Sequence, residues 1–206
     1  MFRAYSMQCL VVIAHPLPDS LCRSLAGFAA KRLEAAGHQV TIEDLYGDGF
    51  DAALTETERR GYYAAQFDAS AIAGEAARLT EAEALVLVFP TWWYGFPAIL
   101  KGWFDRVWSP GIAFDHSSNF GPIKPRLKLR HVLAVTSLGS PWWIDTLVLW
   151  QPVRRILRIA ILGACARGAR FNMLSLHSAE NPSTERVARF EGRVAAVLDR
   201  WPIAHT

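Results

Sequence analysis

At 206 residues the chain suits one domain, residues 1–206, long enough to bury a substantial core. Apolar residues make up 51% and charged residues 20%, and no apolar run reaches the roughly 20 residues of a membrane span. A net charge of only +3, with no compact Lys/Arg run, argues against a nucleic-acid partner. The charge is uneven. Residues 43–83 hold ten carboxylates and three arginines, whereas residues 101–170 hold eleven Lys/Arg and three Asp. Either these are solvated faces of opposite sign, or the second is a positive field that draws in a phosphate-bearing cofactor. Cys9, Cys22 and Cys165 are odd in number and widely spaced, the pattern of core thiols in a reducing compartment. The histidines show no ligand spacing, so no metal is expected. Met1–Ser6 is too short and polar for a signal peptide, and a cytoplasmic location is expected.

Cys9–Ala14 is a continuous β-branched apolar run, the pattern of a strand buried on both faces. Ser20 offers a helix N-cap. Leu21, Leu25, Phe28 and Leu33 then recur at helical spacing, and Gly37 supplies the stop. Gln39–Asp44 reads as a second strand, and Thr55–Arg78 as helix in two pieces broken near Asp68 or Gly74. Ala84–Phe89 is a third strand, with a helix from Pro97 to Trp108. His131–Ser137 is a fourth strand, Val153–Leu162 a basic amphipathic helix, Ala169–Ser175 a fifth strand and Ser183–Trp201 the closing helix. Such alternation implies a parallel sheet covered by helices on both faces. Ser109–Lys128 is long and irregular, as functional loops are.

In an open parallel sheet, ligands bind beyond the carboxyl ends of the strands. There the sequence places His15–Ser20, Pro90–Gly95 and Thr136–Ser140. The first leads into a helix N-terminus, whose free N–H groups favour phosphate, while Ser20 also serves as a cap. The second offers aromatics and backbone amides suited to a flat heterocycle. The third is a small-residue loop that lets backbone approach a ligand closely. Each alone is weak; their coincidence at strand ends carries the reading.

Ala14-His15-Pro16 with Ser20, Asp44-Leu45-Tyr46 with Phe50, and above all the block from Phe89 through Thr91, Trp92, Trp93, Tyr94, Gly95 and Pro97 to Trp108 resemble the NAD(P)H:quinone oxidoreductase family. That resemblance implies a flavodoxin-like three-layer α/β fold with a five-stranded parallel sheet of order 2-1-3-4-5. It further implies a flavin lying along the three loops, in a cleft completed by the second subunit of a homodimer. His15, Ser20, Leu21 and Cys22 would line its ribityl and phosphate portion. Pro90, Thr91, Trp92, Trp93 and Tyr94 would contact the ring, Trp93 and Tyr94 mainly through backbone amides, and Thr136, Ser137, Leu138 and Gly139 would close the far side. Phe114 and His116 would face the acceptor slot from the neighbouring subunit, with Trp142 near it. FAD is the expected flavin, with FMN as the alternative, and NAD(P)H the co-substrate.

Animal members of that family place Asn where this chain has Cys22, and carry a Tyr and a His beyond the fourth strand that are missing here. Backbone N–H groups of Ser137–Ser140 then become the expected donors to the reduced ring, with His116 a proton source for the acceptor. The implied reaction is a ping-pong hydride transfer from the nucleotide to a quinone-like acceptor, which needs no nucleophile or general base. Two other readings stay open. A flavodoxin-type electron carrier would normally be acidic, whereas this chain has a pI near 8.9. A regulatory ancillary role at a potassium-efflux-type transporter would use the basic helix 153–162 as a peripheral docking face.

Overall fold

The computed structural model describes residues 6–64, 67–116, 121 and 123–202. Five parallel strands form the central sheet: β1 (Gln8–Ile13), β2 (Gln39–Asp44), β3 (Ala84–Pro90), β6 (His131–Ser137) and β7 (Arg170–Leu176), in the spatial order β2-β1-β3-β6-β7. Counting only these five, the order is the expected 2-1-3-4-5. The remaining strands, β4 (Phe114–Asp115) and β5 (Lys124–Pro125), pair antiparallel inside the segment expected to be irregular. Two-residue strands carry too little pattern to be seen in a sequence.

Alternation explains the layers. Leu10, Val12 and Ala14 of the first strand region join Leu85, Leu87 and Phe89 in one core, while Cys9, Val11 and Ile13 join Val86 and Val88 in the other. Successive side chains of a strand point to opposite faces, so Cys9–Ile13 of β1 and Ala84–Phe89 of β3 are apolar throughout because both faces are covered. Helices α1 (Leu21–Ala35) and α7 (Thr184–Leu198) cover the second face. Helices α3 (Ala73–Glu81) and α4 (Ala98–Val107) cover the first.

Local chemistry sets the helix ends. Ser20 accepts from the Arg23 N–H, and α1 closes with Gly37 at φ 83°, Gly37 donating to Glu34 and His38 to Leu33, which is the Schellman pattern. Thr55 and Glu58 form a reciprocal capping box that starts α2 (Glu56–Gly61). The expected break near Asp68 is real: its carboxylate accepts from the Ser70 N–H and starts a 3-10 turn before α3. The basic helix 153–162 is present but not regular. Short α segments α5 (Pro152–Arg155) and α6 (Leu162–Cys165) flank a π-helical stretch, Ile156–Ile161. In α4, a methyl on Gly102 would collide with the Ala52 carbonyl oxygen; this close approach fixes the β2–α2 connection against the helix. Arg106 of α4 then holds Glu58 at 2.7 Å and the Asp51 carbonyl, and Trp103 donates to buried Glu43 at 2.7 Å.

Candidate functional site

The three expected loops meet at the carboxyl end of the sheet, and direct bonds tie them together. Thr91 N–H donates to the Ser137 carbonyl at 2.7 Å, and the Thr91 and Thr136 hydroxyls lie 2.6 Å apart. Cys22, in the first turn of α1, places its sulfur 3.8 Å from the Ser137 hydroxyl. His15 and Trp92 bring their rings to 6.1 Å between centroids. Thus the β1, β3 and β6 ends are one constellation, as the sequence implied.

The β3 loop is the distinctive piece. After Pro90 completes the strand, Trp92 to Gly95 make a tight turn closed by Gly95 N–H to the Trp92 carbonyl at 2.9 Å. Trp93 and Tyr94, its two central residues, have φ of 49° and 55°. A left-handed bulky residue costs roughly 1–3 kcal/mol, and here two occur in succession. Phe96 anchors the turn by packing between Phe89 and Phe104. The Trp93 side chain is 99% exposed, so no burial of its indole explains the conformation. Among the described residues, neither the Trp93 nor the Tyr94 N–H has a backbone partner. Gly95 does not carry the strain of this turn: its φ is not positive, and a Cβ there would meet the Trp92 and Trp93 carbonyls at an ordinary 3.6 and 4.0 Å. The strain sits one and two residues earlier.

Thr91, Trp93, Tyr94, Leu138, Gly139 and Ser140 line a cleft of about 190 Å³. Leu138 N–H is spent on the Leu176 carbonyl, so of the Ser137–Ser140 donors only Gly139 and Ser140 lack a backbone acceptor among the described residues. The Ser140 hydroxyl is buried with no hydrogen-bond partner. A buried orphan hydroxyl beside a cleft is the kind of group a polar ligand satisfies. The residues present therefore fit a flat polar heterocycle.

On the α1 side, the Ser20 hydroxyl is committed as the N-cap, and Leu21 and Cys22 follow it in the first turn. His15 Nδ1 accepts from the Leu17 N–H at 3.1 Å, and burial is the largest influence lowering its pKa. Burial pushes the Cys22 thiol up to about 11, against a smaller opposing pull from its Ser137 contact. The thiol is therefore protonated at neutral pH.

The family comparison decides what this constellation belongs to. Residues 7–159 match the model of the flavodoxin-like fold family. The chain belongs to this family. A ribosyldihydronicotinamide dehydrogenase [quinone] of Pongo abelii is 35% identical over 149 residues, 64% of this chain and 63% of the relative. The chain thus spans under two thirds of that relative's length. The solved NAD(P)H:quinone oxidoreductase of Methanothermobacter marburgensis has the same fold, with a TM-score of 0.79 over 96% of this chain and all of that one, at 24% identity. An FMN-dependent NADH-azoreductase of Bacillus anthracis, solved with FMN, shares the fold at a TM-score of 0.69 and 14% identity, covering 93% and 98% of the two chains.

Within this flavodoxin-like chain, Phe114 and His116 are not brought to the cleft. Phe114 is buried in the core near Tyr62. His116 Nε2 lies 3.3 Å from the Tyr62 carbonyl and its ring 5.0 Å from that of Tyr63, on a separate cavity of about 550 Å³. Trp142 is exposed just beyond Ser140, outside the cleft lining. Sequence reasoning missed a fourth contributor, the loop after β7. Ser178 and Ala179 N–H groups donate to the Ser140 and Leu138 carbonyls, and Arg186 donates to the His177 and Ser178 carbonyls. His177 Nε2 lies 3.3 Å from the buried Asp145 carboxylate. The strand-end rule, applied to the fifth strand as to the others, points to this loop.

Proposed function

We propose that this chain is a flavin-dependent NAD(P)H dehydrogenase that reduces quinones or similar small acceptors, nucleotide and acceptor taking turns in one slot. The observation that carries the reading is the Trp92–Gly95 turn: two strained, non-glycine residues hold free N–H groups beside a cleft containing the orphaned Ser140 hydroxyl. Strain of this kind persists where a bound group makes use of it. The quinone-dehydrogenase relatives and the shared fold support the same assignment.

When bound, flavin supplies the ring that accepts and then releases hydride. Leu21 and Cys22 at the positive end of α1 would take its phosphate, with His15 and Ser20 shaping that wall. Trp93 and Tyr94 would offer backbone N–H groups to the ring's polar edge, Pro90, Thr91 and Trp92 backing them. Gly139 and Ser140 would stabilise charge on the far side, next to Thr136, Ser137 and Leu138. The neutral Cys22 thiol excludes water without reacting. FAD is the proposed flavin because the Phe89–Trp108 block resembles the FAD-using branch, and FMN is the alternative.

The working unit in this proposal is a homodimer. Trp142, Trp143, Leu147, Val148, Trp150, Ile156 and Ile159 are all exposed and follow the cleft in sequence. Exposed apolar patches of this extent mark interfaces. A partner seated there would wall the slot, which is how His116 and Trp142 would act on the acceptor, while Phe114, buried in the core, would only back His116.

Absorption of the purified protein tests the class: near-ultraviolet and blue bands, with NAD(P)H oxidised steadily on adding a soluble quinone, are expected. A colourless protein that fails to take up either FAD or FMN overturns the reading. Mass spectrometry of the released cofactor separates the two flavins.

A further inference from the structure

A cavity of about 620 Å³ lies at the other pole of the sheet, where β6 and β7 begin. Seven residues of β6 separate its ends, roughly 20 Å at about 3.3 Å per residue. This cavity is therefore distinct from the Trp93–Ser140 cleft. Arg126, Lys128, Arg130, Arg167, Arg170 and Arg200 line it, and no carboxylate among the described residues does. Five of those six belong to the basic stretch 101–170, which places five of its eleven Lys/Arg at this pole.

Several cations elsewhere are paired, although Arg154, Arg155 and Arg158 of the basic helix show no ion pair among the described residues. Arg32 meets Asp199, Arg60 meets Glu56, Arg78 meets Glu43, Lys101 meets Asp105 and Arg106 meets Glu58. At this pole Arg126 pairs with Asp115 at 3.0 Å, and Arg167 reaches the Gly163 carbonyl at 3.4 Å. Lys128, Arg170 and Arg200 have no ion-pair partner among the described residues. Bringing Lys128, Arg170 and Arg200 together in one hollow costs stability unless a ligand neutralises them.

Backbone bonds hold the cluster in shape: Arg170 N–H donates to the Arg130 carbonyl at 2.8 Å, and Leu127 N–H to the Cys165 carbonyl at 3.2 Å. His131 lines the cavity, and its ring lies 5.3 Å from that of Trp201, tilted by 35°. Burial first, then the charges of Arg170 and Arg130, lower the His131 pKa and favour its neutral form. The cations come from three places: the approach to β6, the turn into β7 and the end of α7. They converge on a concave volume and not a plane, which fits a compact molecule better than a bilayer. The volume matches a nucleotide-sized ligand and far exceeds one phosphate.

We infer that this pole is a binding site for a small molecule carrying two or more clustered phosphates. Arginine forks on such groups give short, charge-assisted bonds. The inference is independent of the redox assignment, because its test reads binding and not turnover.

Titrating the full chain as purified with inorganic tripolyphosphate by calorimetry, at fixed ionic strength, is the test. One saturable site per chain is expected, with affinity at least tenfold weaker in the Arg170→Gln/Arg200→Gln double variant and unchanged in Lys101→Gln. Without tripolyphosphate the double variant should melt no lower than wild type. Lys128→Gln supplies a second probe if the double variant misfolds, and should also weaken binding. Equal affinity in wild type and pole variants, or a response that sulfate reproduces, means an adventitious ion only and overturns the site. Capture by phosphatidylglycerol vesicles without tripolyphosphate binding overturns it in favour of a membrane face.

Discussion

The hydroxyls of Thr91 and Thr136 lie 2.6 Å apart, joining the loop beyond β3 to the end of β6. Thr136 is 1% exposed, so its hydroxyl has no water to fall back on. Thr136→Val should cost about 1–2 kcal/mol, the loss of a hydrogen bond within a packed site. Urea denaturation measures it. A loss below about 0.5 kcal/mol would mean that the hydroxyl pair does not help hold the two loops together.

The Trp92–Gly95 turn makes a two-part prediction. Tyr94→Gly removes a left-handed side-chain penalty and should stabilise the flavin-free chain by about 1 kcal/mol. The same change frees the turn to leave its geometry, so flavin affinity should fall. Trp93→Phe keeps the backbone and should retain flavin. Thermal melts of the apoprotein and fluorescence titration with flavin measure the two halves. A Tyr94→Gly variant that is less stable and binds flavin normally would show the turn is not strained for ligand binding.

The strain at Trp93 and Tyr94 also marks how far the sequence could be read. Strands were legible because β1, β3 and β6 are apolar on both faces, a pattern with no rival reading. The three loops were legible because the strand-end rule needs only strand positions. A left-handed turn at two aromatics was not, since both residue types disfavour it. The π stretch Ile156–Ile161 keeps near-helical spacing of Leu157 and Leu162, so its extra residue per turn leaves no mark. The convergence of Arg126, Arg167, Arg170 and Arg200 depends on tertiary neighbours and has no local signature.

Alkaline stability should report the buried thiols. Cys22 is pushed from 9.0 up to about 11, chiefly by burial. Below pH 9 the thiol is protonated in both states and stability is unaffected. As pH rises from about 9 to about 11 the unfolded chain releases this proton and the folded chain keeps it, so stability is lost, by ~3 kcal/mol at ~1.4 kcal/mol per unit. Cys22→Ala should flatten that slope by one proton's worth in denaturation midpoints taken at pH 8 to 11. An unchanged slope would mean the thiol ionises as readily folded as unfolded.

The proposed dimer rests on the patch from Trp142 to Ile159. Val148 and Trp150 are 59% and 68% exposed, so a charge placed there harms no monomer core. Val148→Glu with Trp150→Glu should convert the dimer to folded monomers in light scattering. Quinone turnover should drop at least tenfold while flavin is retained in part. Wild-type protein that is monomeric at micromolar concentration and fully active would remove the dimer from the mechanism.

His116 is the most exposed prediction, because nothing within one chain brings it to the cleft. Its ring rests against Tyr63 and Phe114, and its Nε2 lies 3.3 Å from the Tyr62 carbonyl. These contacts fix the imidazole at the start of the segment between β4 and β5, where the proposed dimer would bring a neighbouring subunit to it. A histidine placed there could give a proton to a quinone as it is reduced, a step worth 10²–10⁴-fold in rate where it operates. The nicotinamide half-reaction moves hydride without needing that proton. His116→Ala should therefore slow the acceptor half-reaction and leave the nicotinamide half-reaction unchanged in stopped-flow traces. His116→Gln preserves a hydrogen-bond donor but not an acid, and should behave like the alanine variant. Slowing of both half-reactions would instead point to loss of structure around Tyr62. Wild-type rates in both would make His116 a surface residue of the β4–β5 hairpin, and the proton would have to come from water.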